Sequence, residues 1–470
     1  MIKSIDQRQF KLIGYLLILL ILGACSNEKV EKYDLLLTGG FIVDVANDTI
    51  LPNSWIGIRN DTIRAVSTGL NRHLPESEQV IDLEGQYVMP GLWDNHVHLR
   101  GGDTLVAENK ELLDLFLAYG VTTVRDAGGD INGEVLSWRD QIAAKQLLGP
   151  RIFSSGPKLD GPKPAWPGSL SINTEADIDW ALDSLETLGV DYVKFYDGSL
   201  NKDLFYKTIE RAESRGLKTT GHMPLSATIR EAVKMGLDGS EHMYYVLKSC
   251  SPLEDSLTAK GEGYGMMSAI VKSYSPDLAR DLFDDLAKND VSVTPTLHIS
   301  RTLTDLLETD HSNDSLRRYV GSGIQQTYSM RIERARRAKK QGSNSRGNVL
   351  NRSMEMIRPM QQAGVMILAG SDSGAFNSFV YPGSSLIEEL IMLEKAGLSP
   401  SEALGCSVIN GPAFFGLQEH YGAVSNDKVA DLIVLEANPL ESTENLFKLT
   451  LLIRQGQVFD RSAFVNALQT

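Results

Sequence analysis

The sequence predicts an α/β fold: a TIM-like (β/α)8 barrel with a small β-sandwich domain built from the N- and C-terminal segments. Three observations carry that prediction. From Gly91 onward, eight short apolar runs alternate with amphipathic helical stretches, the pattern of parallel βα units. Short strands broken by turn residues precede this region, and a further pair follows it. Four of the eight histidines, His96, His98, His222 and His242, sit at the C-terminal tips of apolar runs, the end of a barrel where side chains converge on a site.

The chain opens with Lys3, Arg8 and Lys11, then an apolar run from Leu12 to Leu22 that is short for a bilayer span and fits a signal-peptide core. It closes on Leu22-Gly23-Ala24-Cys25, which resembles the bacterial lipoprotein signal. That resemblance implies removal of residues 1–25 up to a lipidated Cys25, a polar tether over 26–32, and a mature protein held at a membrane outside the cytoplasm, on its periplasmic or outer-membrane face.

Next come the candidate strands Leu35 to Leu37, Phe41 to Val45, Trp55 to Ile58, Thr62 to Val66 and Val80 to Leu83. The eight barrel runs are Leu92 to His98, Val121 to Arg125, Arg151 to Ser154, Tyr192 to Phe195, Lys218 to His222, Gly239 to His242, Val291 to Leu297 and Val365 to Asp372. Helices are expected between them at Asn109 to Tyr119, Thr174 to Leu188, Asp203 to Arg215 and Ala227 to Met235. Ala430 to Leu435 and Leu449 to Ile453 read as strands again. An isolated pair is marginal, so they are expected to complete the N-terminal β unit. The domains are then 33–90 with 411–470 for the sandwich and 91–410 for the barrel. Two long connections, Met243 to Asp290 and His298 to Gly364, are expected to cap the pocket.

A net charge of −14 and a pI near 5.1 argue against nucleic acid as a partner, because that needs a basic face. The dense basic patch Arg331, Arg334, Arg336, Arg337, Lys339 and Lys340 reads as the solvated face of one helix. Cys250 and Cys406 are expected as free core thiols, although oxidising surroundings would permit their pairing. His73, His311 and His420 read as ordinary surface or core histidines.

The chemistry concentrates in Met89-Pro90-Gly91-Leu92-Trp93-Asp94-Asn95-His96-Val97-His98. Alternate side chains of a strand share a face, so His96 and His98 can grip one ion. With His222, His242 and Asp372 they offer imidazole and carboxylate, the donors that borderline divalent metals favour.

These motifs, with Gly120-Val121-Thr122-Thr123-Val124-Arg125-Asp126, Tyr192-Val193-Lys194-Phe195-Tyr196, Thr220-Gly221-His222, Gly239-Ser240-Glu241-His242, Ala369-Gly370-Ser371-Asp372-Ser373-Gly374 and Ala430-Asp431-Leu432, resemble the metal-dependent amidohydrolase superfamily. Within it they resemble the branch of imidazolonepropionase-like proteins and Xaa-Pro dipeptidases. The resemblance implies two divalent ions, zinc the expected choice. His96, His98 and Asp372 would hold the more buried ion, His222 and His242 the second, and Lys194, carboxylated by carbon dioxide, would bridge them as a carbamate. It further implies a water between metals about 3.5 to 4 Å apart, ionised near neutral pH, as the nucleophile. Asp372 would be the catalytic proton carrier, and Asp94 would steady the histidine pair.

Tyr244 and Tyr245, after the sixth run, and His298, after the seventh, are candidate substrate contacts. Many dipeptidase-like relatives carry Gly-Gly-His after the third strand. Here the stretch from Gly156 to Pro167 has no histidine. The expected function is hydrolysis of C–N amide bonds in a dipeptide or N-acyl amino acid. The alternatives are cyclic amides, lactones or esters on the same binuclear site, or a non-catalytic ligand-binding lipoprotein. A homo-oligomer is compatible with each of these.

Overall fold

The computed structural model describes residues 32–68, 74–340 and 345–468. The expected signal segment with Cys25, the tether as far as Glu31, and His73 lie outside the described residues. Six strands come first: β1 (Tyr33–Thr38), β2 (Phe41–Asp44), β3 (Thr49–Arg59), β4 (Thr62–Thr68), β5 (Ser77–Asp82) and β6 (Tyr87–Pro90).

The central region follows as β7 (Leu92–His98), β8 (Val121–Asp126), β9 (Arg151–Ser154), β10 (Leu159–Asp160), β11 (Leu170–Ser171), β12 (Val193–Phe195), β13 (Thr219–Gly221), β14 (Gly239–Glu241), β15 (Ser292–Thr294) and β16 (Ser373–Gly374). All pairings in this region are parallel, in the orders β16-β7-β8-β9 and β11-β10-β12-β13-β14-β15. Every residue of β7 and β8 is buried, as befits parallel strands covered on both faces. Helices Val106–Ala118, Glu175–Leu188, Lys202–Ser214 and Ile229–Lys234 stand where the amphipathic pattern places them. A capping box of Thr174 and Asp177 opens Glu175–Leu188, and Gly189 at φ 64° closes it. Lys202–Ser214 buries Phe205, Thr208, Ile209 and Ala212, one stripe at helical spacing.

The seventh and eighth expected strands fall furthest short of their apolar runs. The seventh stops at Thr294, because Thr296 adopts φ 50° and Leu297 starts a helix. The eighth, 365–372, keeps a bridge between Val293 and Ile367, and Asp372 leaves the extended conformation at φ 57°. Among the described residues no helix is long and apolar enough to cross a membrane.

After the central region come β17 (Leu432–Leu435), β18 (Leu449–Arg454) and β19 (Gln457–Asp460), then a final helix, Arg461–Ala467. β17 runs antiparallel to β6, with Val434 opposite Val88, so the segments before and after the central region share one nine-stranded sheet ordered β19-β18-β17-β6-β2-β3-β1-β5, with β4 on β3. Leu35, Ile56, Val88, Leu432 and Ile453 belong to its own apolar core, separate from the core of the central region. Buried Arg454 ties the two together: it holds both oxygens of Asp431 at 3.0 and 2.9 Å and donates to Gly149 O at 3.1 Å.

Candidate metal centre

Strand ends deliver the expected residues to one place. His96 Nε2 lies 3.3 Å from His98 Nε2, and Asp372 Oδ1 lies 3.6 and 3.2 Å from those two nitrogens. His242 Nε2 stands 3.0 Å from His222 Nε2 and 4.0 Å from Asp372 Oδ2. One donor atom each from His96, His242 and Asp372 fall within 4.8 Å of one another. His242 and Asp372 reach the group through left-handed backbone, at φ 61° just past β14 and at φ 57° just before β16. Such conformations are strained for residues with a Cβ and cluster at functional sites. Gly370 is required by close approach: a Cβ there would sit 2.7 Å from His96 Cβ.

The hydrogen-bond network sets the tautomers. His98 Nδ1 faces the carbonyl of Gly128 at 3.2 Å, and His96 Nδ1 faces Glu241 Oε2 at 2.5 Å. Both partners accept, so each Nδ1 carries the proton and each Nε2 presents a lone pair. Two lone pairs and a carboxylate then converge in a buried space, an arrangement that a divalent cation resolves. Burial together with Lys194 holds His96 down, to about 3, against the pull of Glu241. Burial, Arg100 and Lys158 likewise depress His98, and burial with His222 depresses His242. Neutral imidazoles are the metal-binding form.

Lys194 is fully buried on β12, its Nζ without a hydrogen bond among the described residues and 3.8 Å from Glu241 Oε1. Burial lowers its amine to about 8, opposed by Glu241 and assisted by Arg125. An orphaned buried amine beside the histidines suits conversion to a carbamate ligand. The donor set therefore fits a metal group.

Several residues around the centre carried no role in the sequence reading. Glu241 is fully buried; its Oε1 accepts from Arg125 Nη2 at 2.8 Å and Thr220 Oγ1 at 2.7 Å. Burial alone would raise its carboxyl, but Arg125, Lys194 and His96 outweigh burial and hold it well below the carboxylate range. Asp197 lies 3.3 Å from His222 Nδ1, close enough for charge contact although not aligned for a hydrogen bond, and accepts from Tyr245 OH at 3.1 Å and Tyr264 OH at 2.5 Å. The sequence signal for Glu241 was its place on the strand leading to His242. Nothing linear pointed from Tyr264 to His222.

Asp94 supports backbone rather than rings. It accepts from His96 N at 3.3 Å, Ser371 N at 2.9 Å and Ser371 Oγ at 2.6 Å, pinning the turn that carries Asp372 to β7. Burial raises its carboxyl to about 7 despite the Ser371 bonds.

A cavity of about 440 Å³ opens over the centre and is walled by Tyr244, Tyr264, Ile299 and Arg331 among others. Both long connections contribute to it. Of the three candidate substrate contacts, Tyr244 lines this cavity. Tyr245 is instead buried, its hydroxyl engaged with Asp197. His298 lies in the first turn of helix Leu297–Thr304, which Glu389 holds by accepting from Leu297 N at 2.9 Å and His298 N at 2.6 Å. Its ring nitrogen faces Thr302 Oγ1 at 3.5 Å, and the residue is not part of the cavity wall.

The basic patch is mostly as expected: Arg334, Arg336, Arg337, Lys339 and Lys340 of helix Ser322–Lys340 are exposed. Arg331 is the exception, half-buried, and with exposed Arg334 it lines the cavity. Cys250 and Cys406 are free and buried, and burial pushes each thiol up to about 12.

Comparison with known proteins agrees with this architecture. The adenine deaminase of Bacillus velezensis is 27% identical over 221 residues, 45% of this chain and 36% of that protein. The chain thus matches only about a third of the length of that curated relative. Among solved structures, bottromycin amidohydrolase superposes with a TM-score of 0.72 at 20% identity, covering 92% of this chain and 88% of the other. A Xaa-Pro dipeptidase with bound methionine in the active site gives 0.67 at 18% identity, covering 91% and 99%. These likenesses establish the fold. The sequence model of the Amidohydrolase family matches residues 87–459, well over half of the chain, and the protein belongs to that family.

Proposed function

We propose that the protein hydrolyses C–N amide bonds of a small substrate, a dipeptide or an N-acyl amino acid. The observation that carries this reading is the convergence of the His96 and His98 lone pairs on Asp372 beneath an open cavity. His96, His98 and Asp372 would hold one divalent ion, His222 and His242 a second, with Lys194 as a carbamate between them. When bound, such ions supply Lewis acidity and ease ionisation of water near neutral pH.

The chain's own groups do the rest. Glu241 and Arg125 fix the His96 ring with its lone pair toward the site. Asn377, donating to Asp372 Oδ1 at 2.8 Å, holds that carboxylate in the cavity wall. Asp372 accepts a proton as water adds to the scissile carbonyl carbon, then returns it to the amine nitrogen as the C–N bond breaks. One water is consumed, and a carboxylic acid and an amine are released. Tyr244 is placed to contact the substrate.

The test is turnover by the zinc-loaded full chain on dipeptides and N-acyl amino acids, with cyclic amides, lactones and esters alongside, before and after chelation. Chelator-sensitive amide cleavage is expected. Turnover confined to lactones or esters would move the assignment to those bonds. Stable metal binding with every substrate left intact would sink the enzyme reading in favour of a ligand-binding protein.

The same reading takes 91–410 as a closed eight-stranded barrel and 33–90 with 411–470 as a sandwich. Bonds from Asp191 N to Ser154 O at 2.9 Å and from Asn95 N to Ala369 O at 2.9 Å support closure. A crystal structure with a gap at either seam would refute it. The apolar run ending at Cys25 supports an extracytoplasmic, lipid-anchored protein. Equal membrane partitioning of a processed Cys25→Ser variant would remove that support.

A further inference from the structure

Beside the cavity over the metal centre lies a second chamber of about 510 Å³. The two share Arg100, Trp166, Tyr196, Arg331 and Arg334 along their common wall. Trp166 comes from the 156–167 stretch that lacks the Gly-Gly-His of many relatives, and half-buried Arg331 and exposed Arg334 come from helix Ser322–Lys340.

The charges here are unbalanced. Arg100 is only 3% exposed, and its guanidinium carbon lies 4.0 Å above the Trp166 ring and 5.7 Å from that of Phe376. It donates from Nε to Ala375 O at 3.1 Å, a neutral partner. Arg331 donates to Phe376 O at 3.1 Å and Asn377 Oδ1 at 2.8 Å, again neutral. Among the described residues no carboxylate forms an ion pair with Arg100, Arg331 or Arg334. Asp130, the one acid among the chamber's lining residues, accepts from Gly101 N at 2.7 Å. Burial lowers Arg100 to about 10, opposed chiefly by Asp372 and assisted by Arg331. Burial depresses Arg331, opposed chiefly by Asp372 and assisted by Arg346 and Arg334.

Taking a guanidinium out of water without a counter-ion is costly, and a carboxylate that meets its fork recovers that cost through two parallel charged hydrogen bonds. The aromatic faces of Trp166 and Phe376 hold the Arg100 plane while leaving its terminal nitrogens for such a partner.

We propose that this chamber binds an anionic group on the substrate, making acidic amino-acid amides, N-acyl- or N-aminoacyl-glutamate and aspartate, the preferred class. The proposal rests on the amide-hydrolase reading above and refines it. A dipeptide with a neutral side chain lacks the second carboxylate. One ending in lysine or arginine places a cation against the arginines, and that repulsion sharpens the choice.

Two measurements on the full chain separate this proposal from the reading on which it rests. The first is calorimetric binding of glutarate and of its neutral isostere glutaramide to the chelated, metal-free protein, so that metal ligation contributes nothing. Glutarate is expected to bind at least about tenfold more tightly, to weaken as salt is added, and to lose that advantage in Arg334→Glu. Arg334→Met serves if the charge reversal fails to fold. The second compares kcat/KM for alanyl-glutamate, alanyl-glutamine and alanyl-lysine with metal restored. The glutamate peptide should lead the glutamine one by at least about tenfold, with lysine last, and Arg334→Glu should compress or invert that order. Glutarate binding no tighter than glutaramide, or unaffected by either Arg334 variant, would overturn the proposal whatever the turnover. Glutarate binding as expected with no peptide cleaved would leave the anion chamber standing and remove the amide-hydrolase reading.

Discussion

Glu241 Oε2 lies 2.5 Å from His96 Nδ1, and that contact decides which nitrogen of His96 faces the centre. Its other oxygen is held by Arg125 and Thr220, so the carboxylate cannot swing away without leaving a buried guanidinium unpaired.

Glu241→Gln is therefore expected to weaken metal binding or activity by about 10- to 100-fold, the range for partners that orient a ligating histidine. Metal titration against a chromogenic chelator reads this directly. Wild-type affinity and turnover in the variant would show that the contact is merely structural.

Asp372→Asn keeps the side chain's shape and its place beside Asn377 but cannot take up a proton. Turnover should fall by at least about a hundredfold while much of the metal is retained. Metal analysis beside steady-state kinetics separates the two effects, and near-normal turnover at full occupancy would contradict the proton-carrying role.

Lys194 has no hydrogen-bond partner to lose among the described residues, which makes its removal informative. The wild-type chain should bind about two divalent ions by the two-metal logic. Lys194→Ala should lose at least one ion and most activity, with partial recovery in added short-chain carboxylic acid. Lys194→Arg should not recover, since its guanidinium stays charged and fills the space. Two ions and full turnover in Lys194→Ala would rule out a bridging carbamate.

Burial holds His298 down, to about 4 from an ordinary value of 6.5. A histidine depressed in the folded state contributes stability that is present above pH 6.5 and is lost as pH falls through about 4. In metal-free protein, His298→Leu should therefore show a shallower acid loss of stability, by about one proton taken up on unfolding across that window. Urea titrations at stepped pH measure the slope, and identical slopes would place the His298 proton outside the folding equilibrium.

The sequence alone determined the α/β alternation, the strand ends that carry His96, His98, His222, His242 and Lys194, and the joining of the segments that flank the central region. These follow from apolar periodicity and from the rule that parallel units present their C-terminal ends on one side. The same linear pattern could not show that Asp372 and His242 enter the site by turning left-handed, because φ is set by the turns that receive them. It could not distinguish Tyr244 from Tyr245 either: both lie on one short helix, and only packing sends one to the cavity and the other to Asp197. Tertiary structure alone decided the partners made across the fold, Glu241 to Arg125 over 116 positions and Arg100 beside Arg331. Desolvation and charge pairing depend on neighbours in space, and within a basic helix face that is otherwise exposed only packing turns Arg331 toward the pocket.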